Sequence, residues 1–264
     1  MFGGICVKEM RVTVRLNEEI APGIYEMDLQ LPEDIEFRCG QFVNLSVGDG
    51  AHLLRRPFAI AFYNRESRVI GVCYQVKGEG TKSLASKKEG DALTCVLPLG
   101  KAFKISDDQK KVALIGGGVG VFPLISVLNE YRESDKYFCS YMGFRSKEYV
   151  NTFGLFDKRS NEVFSATDDG SFGVKGNAVQ LFFENYETAK PDIILACGPT
   201  PMLRALKEGL KERGISVPCY VSLEERMGCG IGACLVCVCK KSGKEENARV
   251  CKDGPVFEIN EVEF

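Results

Sequence analysis

The sequence predicts a β + α/β chain in three parts, and three observations carry that prediction. Short strand-like runs fill residues 1–104, apolar runs alternate with helical patterns over 105–222, and glycine and cysteine dominate 223–264. The first pattern suggests an antiparallel barrel or sandwich. The second implies βαβ units and a parallel sheet covered on both faces. The third is too short for a core of its own and needs a metal or cross-links to hold it.

In the first part "RVTVRL", "GIYEMDLQL", "QFVNLSV", "RPFAIAFY", "VIGVCYQV" and "DALTCVLPL" read as strands, with Gly, Pro, Asn or Asp between them. The texture changes at "FKISDDQKK". Beyond it "KVALIG", "YFCSYMGF", "EVFSAT", "DIILACG" and "PCYVSL" read as buried strands. Between them "VFPLISVLNEYRES", "KGNAVQLFFENY" and "TPMLRALKEGLKERG" read as helices, the last with Met202, Leu203, Leu206 and Leu210 on one stripe. Ligands of such sheets bind at the carboxyl ends of the strands, where Gly116, Asp168 and Cys197 fall.

Bulk properties narrow the function classes. The chain has 264 residues, 45% hydrophobic and 27% charged, as expected of a protein with a buried core. A net charge of −2 with dispersed basic residues predicts no nucleic-acid partner. "MFGGICVKEMRV" lacks a secretory pattern, and no apolar run approaches the ~20 residues that span a bilayer. The expectation is a cytoplasmic protein with no membrane association, whose twelve cysteines stay mostly reduced. Cys6, Cys39, Cys73, Cys95, Cys139, Cys197 and Cys219 are scattered singly and read mostly as small core side chains.

Four of the others crowd into "MGCGIGACLVCVCK". Cys229, Cys234 and Cys237 are spaced C-x4-C-x2-C, and Cys251 follows after thirteen residues. This is the plant-type [2Fe–2S] spacing. Gly228, Gly230 and Gly232 permit the tight turns that aim N–H groups at sulfur. A four-cysteine zinc site stays open, although zinc ribbons usually pair two short knuckles. Cys239 is left out of the ligand set because the spacing is complete without it.

"ALIGGGVGVFPLI" runs from a buried strand through a glycine turn into a helix, leaving N–H groups free for a pyrophosphate. G-x-G-x-x-G fits badly, since Val121 stands where the third glycine belongs, and Arg145 rather than an acid follows the second strand. A dinucleotide site of another kind and a tight strand–helix turn both explain the stretch. "ILACGPTPML" favours the cleft, with Thr200 as N-cap and Pro201 following. In the first part, Arg56 precedes Pro57 in "LLRRPFAIA", and "VKGEGTKSLASKKEGD" carries Gly78, Gly80, Thr81 and Ser83. These can contact a phosphate-bearing ligand, and a surface arginine with an ordinary β-turn explains them equally well.

Taken together, "LLRRPFAI", "GEGT", "LIGGGVGVFPL", "ATDDGSFGVKG", "ACGPTPML", "SLEERMGCGIGACLVC" and "RVCKDGPVF" resemble the ferredoxin reductase superfamily. The closest form is the family of electron-transfer subunits of dihydroorotate dehydrogenase B, and the resemblance covers essentially the whole chain. It implies an antiparallel six-stranded FAD-binding barrel (1–104), a parallel-sheet NAD-binding α/β domain (105–222) and a C-terminal [2Fe–2S] cluster domain (223–264). It implies that Arg56, Pro57, Phe58 and Ala59 form the flavin motif, with Arg56 facing the pyrophosphate. Cys73, Tyr74 and Gln75 line the flavin, while Gly80 and Thr81 hold its phosphates. Gly116, Gly117, Gly118 and Gly120 form the nicotinamide loop. Thr167 and Asp168 face a cofactor ribose, and Cys197, Gly198 and Pro199 sit beside the nicotinamide. Cys229, Cys234, Cys237 and Cys251 ligate the cluster.

The resemblance further implies electron transfer from an FMN-containing dihydroorotate-oxidising subunit, through [2Fe–2S] and FAD, to NAD in pyrimidine (UMP) synthesis. The implied assembly is a heterotetramer with two copies of each subunit, and the cluster piece meets the partner. No acid or base residue is needed here, because the cofactors carry the chemistry. Ala59 departs from the family motif, which usually has serine there. Two other readings are the small subunit of an NAD(P)H:ferredoxin oxidoreductase and a zinc-stabilised interaction module without activity.

Overall fold

The computed structural model describes residues 7–150 and 153–264; Cys6, read above as a core cysteine, lies outside them. Six antiparallel strands close a barrel: β1 (Lys8–Ala21), β2 (Ile24–Gln30), β3 (Phe42–Leu45), β4 (Arg56–Asn64), β5 (Val69–Gln75) and β6 (Ala92–Leu99), in the order β1-β2-β5-β4-β3-β6. Alternation drives the closure. In β1 the buried Met10, Val12 and Val14 point inward between outward-facing Glu9, Arg11 and Thr13. Met27, Leu29, Ile60, Ile70, Val72 and Leu93 complete the interior, each contributing roughly 1.5–3 kcal/mol by its burial. Closure removes the exposed sheet edges that a sandwich would keep. The short helix α1 (Glu79–Ala85) buries Leu84 in this core.

The second part is built on β7 (Lys111–Gly117), α2 (Val121–Glu130), β8 (Tyr137–Phe144), α3 (Phe153–Asp157), β9 (Glu162–Thr167), β10 (Val174–Lys175), α4 (Ala178–Ala189), β11 (Ile193–Cys197), α5 (Thr200–Glu212) and β12 (Cys219–Ser222). Its strands pair in parallel in the order β10-β9-β8-β7-β11-β12. One face packs α2 through Leu124, Ile125 and Leu128. The other packs α4 and α5 through Phe182, Leu203, Leu206 and Leu210. Helix α5 starts at Thr200 with Pro199 as its N-cap, so Thr200 is the first helical residue rather than the cap expected from sequence. Asn177 makes a full capping box at α4, where its side chain accepts from the N–H groups of Val179 and Gln180.

The cysteine-rich piece contains β13 (Val238–Lys240), β14 (Asn247–Arg249), α6 (Val250–Asp253) and β15 (Val256–Glu258). β13 and β14 form a separate two-stranded sheet. β15 pairs antiparallel with β12, making a seven-stranded mixed sheet. Cys237, Ala248, Val250, Cys251 and Phe257 share one apolar cluster with the sheet and α5. The piece thus borrows the core that its length denies it. It also clasps the barrel, where Lys101 N–H donates to the Gly254 carbonyl at 2.6 Å.

Candidate cofactor and cluster site

A cavity opens between the barrel and the α/β part. It is lined by Arg56, Pro57, Phe58 and Ala59 of β4, by Cys73, Tyr74 and Gln75 of β5, and by Thr81 of α1. Eight of the residues expected at one ligand therefore meet around one space. Gly80 explains how. A Cβ there would lie 2.4 Å from Arg56 Nη2, so the guanidinium rests directly on the first turn of α1. Arg56 Nη1 also donates to the Leu54 carbonyl at 2.5 Å, which fixes the side chain across the cavity mouth. The Thr81 hydroxyl accepts from the N–H of Lys77 and Gly78 and donates to the Gly78 carbonyl, so it holds its own turn as well as lining the cavity. The Tyr74 ring packs between Tyr25 and Phe58, and its hydroxyl donates to Asn17.

The opposite wall comes from the α/β part: Val119, Phe122 and Pro123 around the start of α2, Cys197 and Ser222 at strand ends, and Glu224 beyond β12. Burial pushes the Cys197 thiol up, and the charge of Glu224 adds to it. A second cavity continues along the carboxyl ends of the strands, lined by Gly117, Gly118, Gly120, Gly198, Pro199 and Thr200. The glycines divide the work. A Cβ on Gly120 would lie 2.4 Å from the Cys197 carbonyl oxygen, and one on Gly116 would press on Val121 and Met142, so both permit packing. Gly118, at φ +56 with open space where a Cβ would go, bares the backbone to the cavity.

Thr167 and Asp168 line neither cavity. Thr167 is buried, with its hydroxyl donating to the Phe172 carbonyl at 2.9 Å, while Asp168 is exposed beyond the end of β9. Sequence reasoning passed over Glu224, which borders both cavities. The Glu224 side chain is exposed to solvent, yet the neighbouring walls push its carboxyl up, and Lys77 works against them. Its signal was an acid directly after a strand end in "YVSLEE". Lys77, Met227 and Pro255 were passed over too, although each lies within a quoted motif whose other residues drew the attention.

The four cysteines gather in two pairs. The Cys229 N–H donates to Cys234 Sγ, and the Cys251 N–H to Cys237 Sγ, each at 3.4 Å. Cys229 Sγ accepts N–H groups from Ile231, Ala233 and Cys234 at 3.3–3.4 Å. Gly230 at φ +75 and Gly232 at φ +83 make that winding possible. Burial opposes ionisation of Cys229, but the N–H groups of Ile231, Cys234 and Ala233 outweigh it and hold the thiol down at about 6. Among the described residues no three Cys, His, Asp or Glu side chains gather at a single-ion site. Two thiol pairs ringed with N–H donors suit two bridged irons better than one zinc. Cys239 stands apart and lines the second cavity. Around exposed Cys234, Ile231, Leu235 and Val236 are 53%, 62% and 54% exposed.

A family model described as the iron–sulfur cluster binding domain of dihydroorotate dehydrogenase B matches residues 224–263. The dihydroorotate dehydrogenase B (NAD(+)) electron transfer subunit of Bacillus pumilus is 39% identical over 97% of this chain and 98% of its own. That of Fusobacterium nucleatum is 38% identical over 96% and 97%. Among solved structures, one of an NADH-dependent reduced ferredoxin-NADP oxidoreductase superposes with a TM-score of 0.85 at 30% identity, covering 99% of this chain and 91% of that one. A ferredoxin NADP+ reductase from Neisseria gonorrhoeae with bound FAD and NADP shares the fold, with a TM-score of 0.66 at 17% identity over 78% of this chain and 92% of that one. Over nearly its whole length the chain belongs to the family of dihydroorotate dehydrogenase B electron transfer subunits.

Proposed function

We propose that the first cavity holds FAD, the second takes NAD, and Cys229, Cys234, Cys237 and Cys251 hold one [2Fe–2S] cluster. In this reading the chain relays electrons from an FMN-containing, dihydroorotate-oxidising partner to NAD in UMP synthesis. The observation that carries it is contiguity. Gln75, Lys77, Val119, Leu223 and Glu224 border both cavities, and Met227 in the wall of the first stands two residues before Cys229. When bound, the three groups supply the exchange between one-electron and two-electron carriers.

The protein's own residues bind and orient. Arg56 offers a fixed fork to a pyrophosphate from across Gly80. Gly118 lets a dinucleotide approach the backbone, while Gly198 ahead of α5 lines the same cavity and makes room for Met202. Ala59 offers no hydroxyl to the ring, so polar contacts at that edge fall to backbone N–H groups and to Glu224 from the facing wall. The apolar rim of Ile231, Leu235 and Val236 brings a partner over the exposed Cys234. The proposed division is barrel to residue 104, nicotinamide part to 222 and cluster part beyond. Two copies with two partner chains form the proposed assembly. Thiol ligands suit the reducing cytoplasm, and among the described residues no helix is long and apolar enough to cross a membrane.

The test is isolation of the native complex followed by cofactor extraction. FMN, FAD, iron and acid-labile sulfide are expected, with dihydroorotate-dependent reduction of NAD⁺. Cys229→Ser or Cys251→Ser removes the iron and Cys239→Ser keeps it. A complex that bleaches with NADH but never with dihydroorotate would overturn the substrate assignment.

A further inference from the structure

The flavin barrel touches the cluster loop through a polar side chain with no obvious business there. Asn44 on β3 is 1% exposed. Its Nδ2 donates to the Cys229 carbonyl at 3.4 Å, and a Cβ on Gly230 would lie 2.7 Å from the same nitrogen. Its Oδ1 has no hydrogen-bond partner among the described residues. The amide cannot be turned round, since that would set oxygen against the Cys229 carbonyl. A buried amide bonded at one end costs stability that a leucine of similar size would not. Packing therefore does not account for Asn44, and its one bond goes to the peptide of the first cluster cysteine.

That peptide is the pivot of the loop. Cys229 Sγ accepts its three N–H bonds only while the turn through Gly230, at φ +75, stays wound. Gly230 has no Cβ to resist rotation of the peptide before it, so a restraint from outside the loop adds to the loop's own N–H···S bonds. Asn44 supplies it from a strand whose other edge is the flavin motif, because Asn44 pairs with Pro57 and Phe42 with Ala59.

We propose that Asn44 is a positioning residue for the cluster, which pins the Cys229 peptide to the flavin barrel, keeps the N–H groups aimed at sulfur and thereby raises the cluster's reduction potential. This rests on the reading of Cys229 as an iron ligand. N–H···S bonds favour the reduced, more negative cluster, so loosening them lowers the potential.

The experiment uses the full chain co-purified with its partner, as wild type, Asn44→Leu and Asn44→Ala. Readouts are iron and flavin content, Tm, cluster potential by spectroelectrochemical titration, and amide exchange over residues 229–236. Asn44→Leu keeps the bulk and deletes the donor. The expected result is full iron and FAD and an unchanged or higher Tm. The cluster's reduction equilibrium falls about tenfold, ~59 mV for one electron, and exchange at Ile231, Ala233 and Cys234 is faster. Asn44→Ala gives the same shift and serves if the leucine does not fold. An unchanged potential in both variants, or one that shifts only in step with iron loss, overturns the proposal. Wild type without iron and sulfide sinks the ligand assignment itself, and this inference with it.

Discussion

The guanidinium of Arg56 lies against Gly80 so closely that a single added methyl would come within 2.4 Å of Nη2. The obstacle is the far end of a flexible side chain, so the fold can yield while the arginine cannot keep its place. Gly80→Ala is expected to weaken FAD binding about tenfold, the ~1.4 kcal/mol of one charged hydrogen bond. Stability should hold or rise slightly, because alanine suits a helix better than glycine. Fluorescence titration of the apoprotein with FAD, beside its Tm, separates the two effects.

Gly120 offers the opposite case. A Cβ there meets the carbonyl oxygen, the carbonyl carbon and the next Cα of Cys197–Gly198 at 2.4–2.6 Å, all of them backbone. Gly120→Ala should cost ~2–3 kcal/mol by overpacking and weaken NADH binding. Gly118→Ala meets open space and is opposed only by its φ of +56, so ~1–2 kcal/mol is expected. Urea unfolding of the two variants side by side ranks them; a reversed order contradicts the packing argument.

The apolar rim around Cys234 predicts a separable defect. Leu235→Asp with Val236→Asp places two charges on a surface proposed to be dry in the complex, leaving the buried Cys237 and Cys251 untouched. Association with the partner should weaken at least tenfold. FAD content, iron content and NADH-dependent dye reduction of the chain alone should be retained. Size-exclusion chromatography of the mixture reads the result.

Asp28 predicts a pH dependence. Burial pushes its carboxyl up to about 6, with Glu26 adding to it, and Asp28 Oδ1 has no hydrogen-bond partner among the described residues. The folded state therefore holds this proton more tightly than the unfolded one. The contribution is complete below pH ~4 and is lost as pH rises through about 6. Asp28→Asn should stabilise the chain at pH 7.5 by ~1 kcal/mol, discounted for partial exposure, and should make no difference near pH 4. Tm measured across pH 4–8 checks both ends.

Much of this was legible in one dimension. Each strand of the barrel is readable from apolar alternation or from turn residues at its ends, because both act between neighbours in the chain. The run read as "RVTVRL" extends to Ala21, since Glu18 and Glu19 pair across the hairpin with Glu26 and Tyr25 despite their polarity. Cysteine spacing pointed to an iron–sulfur cluster in the same way, because a loop that wraps two irons needs its ligands at set intervals. Resemblance supplied what periodicity does not, and eight of its expected flavin contacts share one cavity.

What stayed hidden depends on residues distant in sequence. No local pattern marks "VFE" as a strand, for β15 exists because β12 offers it an edge. Glu224 matters only once two cavities meet beside it. Asn44 is a polar residue in a short strand until the loop 185 positions away comes to rest on it. The sequence by itself determined the barrel strands, five strands and the three long helices of the α/β part, and which thiols are spaced to share a cluster, because those follow from short-range sterics, periodicity and valence. Only the tertiary structure decided which surfaces face each other across the cavities and that Asn44 meets the Cys229 carbonyl, because such contacts form between parts of the chain brought together by burial of the common core.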